Sequence, residues 1–127
     1  MQLIIDGHSS DDKLLQDEEL LRRFLDHYPA EIGMTRICTP VVVRYVGPKH
    51  EDWGISGFVM IAESHISVHT FVVPRFVNID VFSCKDFDYE KALDDIRRRF
   101  KLVKMRTRLI DRTAQPVPLE TISLKQG

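Results

Sequence analysis

Apolar residues at Leu14, Leu20, Leu21, Phe24, Leu25 and Tyr28 recur at the spacing that gathers them on one side of a helix. That pattern predicts a helix within residues 9–33, with Pro29 and Gly33 marking its end. A second stripe, Tyr89, Ala92, Leu93, Ile96 and Phe100, predicts a helix over 89–100, with Asp88 placed to cap it. The other apolar runs are short and β-branched. Residues 1–6, 35–46, 58–71 and 76–84 read as strands, with Pro40 at the start of its run or on an edge. Residues 47–57, "GPKHEDWGISG", read as a polar loop. In 102–110, Lys104, Arg106 and Arg108 alternate with Met105, Thr107 and Leu109, which fits a strand with one wet face.

Two helices among several antiparallel strands predict an α+β fold: a two-layer sandwich, a mainly antiparallel sheet with both helices packed on one face. Residues 1–112 make one domain, and 113–127, with Pro116 and Pro118 and no clear period, are expected to be a flexible tail. At 127 residues the chain suits a single core. Its net charge of -1 gives no pull toward nucleic acid or an anionic membrane. It has two cysteines, no signal-peptide pattern and no apolar run near the ~20 residues that span a bilayer, so a cytoplasmic protein is expected.

The runs 58–71 and 76–84 meet through "VVPR", a hairpin connection. A turn centred between Val73 and Pro74 sets Ser64 opposite Ser83 and Glu63 opposite Cys84, about 4.5–5.5 Å apart. Cys84 then lies beside the Glu63–Ser64 peptide bond. His69 is different: five residues of straight strand place it about 16 Å from Ser64 of its own chain. A base must come within about 3 Å of its proton. Unless the chain folds back sharply, His69 cannot serve its own Ser64; it could serve that of a second copy, which a two-fold homodimer pairing these strands would bring to it.

At these residues the sequence resembles the S-adenosylmethionine decarboxylase family in its short prokaryotic form. The matching pieces are "GISG" (54–57), "ESHISVHT" (63–70) and "IDVFSC" (79–84). The resemblance implies a self-processing proenzyme. The Ser64 hydroxyl attacks the carbonyl of Glu63, the amide becomes an ester, and elimination cuts the chain into a β chain, 1–63, and an α chain, 64–127. Ser64 becomes a covalent pyruvoyl cofactor, a ketone suited to form a Schiff base with a substrate amine and accept electrons as CO₂ leaves. The resemblance assigns Ser56 to steadying the processing intermediate, His69 to proton transfer during elimination, and Cys84 to returning a proton to the product. It also implies dimers with shared active sites and a place in polyamine synthesis.

Where family members carry an aromatic, proline and glutamate after "HT", this chain has Phe71, Val72 and Val73. The resemblance assigns that glutamate to the ribose hydroxyls of S-adenosylmethionine, and valine accepts no hydrogen bond. The adenine-stacking aromatic aligns with His50, beside Glu51, Asp52 and Trp53. An acidic loop suits a cationic substrate end, so a basic amino acid, L-ornithine or L-arginine, is favoured as the small-molecule substrate. The alternative is S-adenosylmethionine itself, supplying aminopropyl groups for spermidine; below it stands a catalytically silent regulatory paralogue. Simpler readings accompany each residue: a strand serine, a packing role for His65, an inert thiol at Cys84, a solvated loop at Glu51 and Asp52. His65 and His69 have no third ligand at suitable spacing, so no metal is expected.

Overall fold

A computed structural model describes residues 1–112; the expected tail lies outside them. The elements run β1 (Gln2–Ser9), a 3₁₀ turn (Leu14–Gln16), α1 (Glu18–Glu31), β2 (Val41–Val46), β3 (Trp53–Ile61), β4 (Ser64–Phe71), β5 (Phe76–Ser83), α2 (Tyr89–Arg99) and β6 (Leu102–Ile110). The six strands form one antiparallel sheet in the order β2-β3-β4-β5-β1-β6.

Each helix starts on an aspartate. The Asp17 side chain accepts from the Leu20 N–H and the Asp88 side chain from that of Lys91. The predicted first helix is shorter than its pattern. A 3₁₀ turn takes Leu14 and Leu15, and Pro29 sits inside the last turn of α1 rather than ending it. Gly33, at φ +74, supplies the left-handed residue after the cap.

The helices bury Leu21, Phe24, Leu25, Tyr28, Ala92 and Ile96 against one sheet face. That face is built by alternation: Leu3 and Ile5 of β1, Ile55 and Val59 of β3, Ile66 and Val68 of β4, and Val77, Ile79 and Val81 of β5. Among the described residues, no helix covers the other face. It presents Val41, Val43 and Tyr45 of β2, Phe58 and Met60 of β3, and Phe71 of β4, all exposed. Lys104, Arg106 and Arg108 lie on the same side at the β6 edge, in register with His8, Asp6 and Ile4.

Three sequence expectations change here. The run 35–46 is a strand only over Val41–Val46. Residues 58–71 are not one run: the chain turns at Ala62–Glu63, so β3 and β4 form their own hairpin with Ile61 opposite Ser64. No glycine, proline or asparagine marks that turn, which hid it in the pattern. And "GISG" belongs to β3, not to a loop.

Candidate active site

The first cluster arises because β3 and β4 pair in a register that sets Ser56 directly opposite His69. His69 Nδ1 and Ser56 Oγ are 2.8 Å apart on the open face, so the hydroxyl and imidazole form a pair able to pass a proton. Beyond them Gly54 approaches Thr70 so closely that a Cβ would stand 1.7 Å from the Thr70 carbonyl oxygen. Only glycine fits. The buried Thr70 hydroxyl donates to the Leu15 carbonyl and accepts from the Ile55 N–H, both at 2.9 Å, and so ties the 3₁₀ turn to the sheet. These contacts leave a cavity of about 260 Å³ bounded by Tyr45, Asp52, Trp53, Ser56, His69 and Phe71. Tyr45, Trp53 and Phe71 give it aromatic walls, and Asp52 is the one carboxylate among the residues lining it.

The second cluster is at the other end of β4. β4 and β5 pair with Ser64 opposite Ser83, as the hairpin spacing requires. The Cys84 N–H donates to the Glu63 carbonyl oxygen at 2.8 Å, so the carbonyl of the Glu63–Ser64 bond is polarised by a backbone donor. The Glu63 carboxylate accepts from the Thr35 N–H at 3.1 Å and lies 3.9 Å from Lys85 Nζ. The Ala62 N–H donates to the Thr35 carbonyl at 2.8 Å, fixing the turn to the chain that follows α1. By the alternation of β4, Ser64 shares the helix-side row with Ile66 and Val68, whereas His69 is on the open face.

One chain therefore brings together Ser56 with His69, and Glu63 and Ser64 with Cys84, but keeps the pairs at opposite ends of β4. Of the residues singled out for substrate, Phe71, Asp52 and Trp53 bound the cavity; His50 and Glu51, in the exposed β2–β3 turn, and Val73, exposed in the β4–β5 turn, do not. Sequence reasoning missed Tyr45, Thr70, Thr35 and Lys85. Pairing β2 with β3 across the Gly47–Pro48 turn signal finds Tyr45, which stands opposite Gly54.

A sequence profile of the S-adenosylmethionine decarboxylase family matches residues 1–113. The chain belongs to the S-adenosylmethionine decarboxylase family. Its relatives include the S-adenosylmethionine decarboxylase proenzyme of Archaeoglobus fulgidus, 30% identical over 111 residues, spanning 87% of this chain and 94% of that protein. The proenzyme of Pyrococcus furiosus is 31% identical over 100 residues, 77% of this chain and 67% of that one. Among solved structures, the adenosylmethionine decarboxylase from Aquifex aeolicus shares the fold at a TM-score of 0.70 and 20% identity, covering 91% of this chain and 95% of its own. Membership in the S-adenosylmethionine decarboxylase family makes the chain a carboxy-lyase by class.

Proposed function

We propose that the chain cuts itself between Glu63 and Ser64, converts Ser64 into a pyruvoyl group, and decarboxylates a basic amino acid, L-ornithine or L-arginine. The observation that carries the self-cleavage is the Glu63 carbonyl: it precedes a serine, sits at a two-residue turn and receives the Cys84 N–H. A hydroxyl nucleophile next to a polarised carbonyl fits the group that the proenzyme family implies. Once formed, that group supplies a carbonyl that draws electrons away as CO₂ leaves.

The chain's own residues do the rest. Cys84 holds a proton at Sγ beside the cut for return to the product. Ser56 and His69 hold and move a proton through their shared hydrogen bond. Asp52 takes the substrate's distal cation, a charge-assisted contact that needs no ribose-binding glutamate. The two clusters meet between chains: in a two-fold assembly His69 of one copy reaches the Glu63–Ser64 turn of the other at the end of β4, where the Ser64 side chain stands in the helix-side row. The exposed Val41, Val43, Tyr45, Phe58 and Met60 support this, since apolar patches of that kind mark interaction surfaces.

A second reading, S-adenosylmethionine as substrate, is favoured by the aromatic walls Tyr45, Trp53 and Phe71, against which a nucleobase stacks. Two experiments decide. Mass analysis of wild type and Ser64→Ala tests the cleavage: two fragments against one uncut chain are expected. CO₂ release from ornithine, arginine and S-adenosylmethionine tests the substrate; turnover of the last alone overturns the basic amino acid.

A further inference from the structure

Lys85 follows Cys84 in sequence, and its ammonium donates to the Gly33 carbonyl at 2.7 Å. That bond holds it 3.9 Å from Glu63 Oε2, while Glu63 Oε1 accepts the Thr35 N–H. The Glu63 side chain is only 14% exposed, so water screens its charge poorly. This matters because the same residue carries the carbonyl under attack. When Ser64 Oγ adds to the Glu63 carbonyl carbon and gives up its proton, a negative charge gathers on Glu63 O. The C–N bond then breaks as the proton from Oγ passes to the Ser64 nitrogen, leaving the ester and a free amine. A carboxylate on the same residue raises the cost of that charge, and a cation beside the carboxylate lowers it.

We infer that Lys85 is a positioning residue for self-cleavage: its ammonium neutralises and anchors the Glu63 carboxylate while Cys84, the preceding residue, donates its N–H to the Glu63 carbonyl. This rests on the self-cleavage reading above and deepens it. After the cut, the same ammonium faces a chain end bearing both the Glu63 side-chain carboxylate and the new terminal one.

The expected effect is small because the lysine side chain is 51% exposed. An ion pair of that kind is worth about two- to fivefold in rate. The test follows cleavage of freshly translated protein over time by intact mass, for wild type, Lys85→Met, Lys85→Arg, Glu63→Gln and the Glu63→Gln/Lys85→Met double variant. Lys85→Met should cleave about two- to fivefold more slowly than wild type, and Lys85→Arg at about the wild-type rate. In the Glu63→Gln background, where no carboxylate needs neutralising, Lys85→Met should change nothing. Molar salt should shrink the wild-type advantage over Lys85→Met. Wild-type speed in Lys85→Met, or equal slowing with and without the Glu63 charge, overturns the role assigned to Lys85 while leaving self-cleavage intact. A wild-type chain that stays whole throughout overturns both.

Discussion

Asp52 separates the two substrate readings at the level of a single side chain. As the only carboxylate among the residues lining the cavity, it is the natural partner for a distal ammonium or guanidinium. Asp52→Asn keeps the shape and removes the charge. Losing a hydrogen bond to a charged group costs about 1.5–3 kcal/mol, so kcat/KM for the basic amino acid should fall about ten- to a hundredfold. Self-cleavage should proceed as before, because the proposed cut uses Ser64, Ser56, His69 and Cys84 and not the Asp52 charge. Steady-state kinetics on the cleaved enzyme check this; an unchanged kcat/KM removes Asp52 from substrate binding. At this scale the sequence was legible wherever spacing alone decided a contact. Ser64 facing Ser83 follows from the hairpin centre, as does Cys84 beside Glu63. The Ser56–His69 hydrogen bond was not legible. It depends on the Ala62–Glu63 turn, which lacks the residues that announce a turn.

Among the elements, β3 depends on a glycine and the helix layer on a buried acid. Gly54→Ala places a methyl group 1.7 Å from the Thr70 carbonyl, against backbone rather than a yielding side chain. It should destabilise the fold by about 1–3 kcal/mol and slow self-cleavage by disturbing the neighbouring Ser56–His69 pair. Denaturant unfolding and cleavage rate measured on the same variant check it; wild-type values for both contradict the close approach. The helices meet at Asp95, which accepts from Tyr28 Oη at 3.0 Å and pairs with Lys91 and Arg98. Burial pushes the Asp95 carboxyl up, but hydrogen bonds from Lys91 and Tyr28 outweigh it and hold the group below its ordinary 3.8. The Arg99 hydrogen bond likewise holds Glu31 below its ordinary 4.5. Both folded-state values are depressed, so their stabilisation is complete above the ordinary values and is lost as pH falls below them. The melting temperature should be flat from pH 7 to about 5 and drop below about 4, with a shallower drop in Asp95→Asn. An identical acid profile in that variant contradicts the role of Asp95. The helix stripes and the caps at Asp17 and Asp88 follow from period and residue type. The strand order does not: β1 lies between β5 and β6 because α2 carries the chain across the sheet, and no local pattern encodes that placement.

For the whole molecule, the uncovered sheet face offers an apolar interaction surface, and the length of β4 between Ser64 and His69 asks for a second copy. The sandwich has one core on its helix side, yet its other face exposes large apolar side chains near the Ser56–His69 pair. In the proposed two-fold assembly, each chain lends its His69 to the other's Ser64. Mixing Ser64→Ala with His69→Ala chains, each uncut by itself, should restore cleavage of the His69→Ala chain, because the partner supplies the missing imidazole. No cleavage in any mixture contradicts a site shared between chains. The sequence distance between Ser64 and His69 was enough to raise this expectation.

The central claim is that the folded protein is no longer one polypeptide. Intact-mass measurement of the purified chain under denaturing conditions tests it most directly. Two species are predicted, residues 1–63 and residues 64–127, the second bearing a ketone in place of the Ser64 amine. A single unmodified chain of 14.8 kDa contradicts the account.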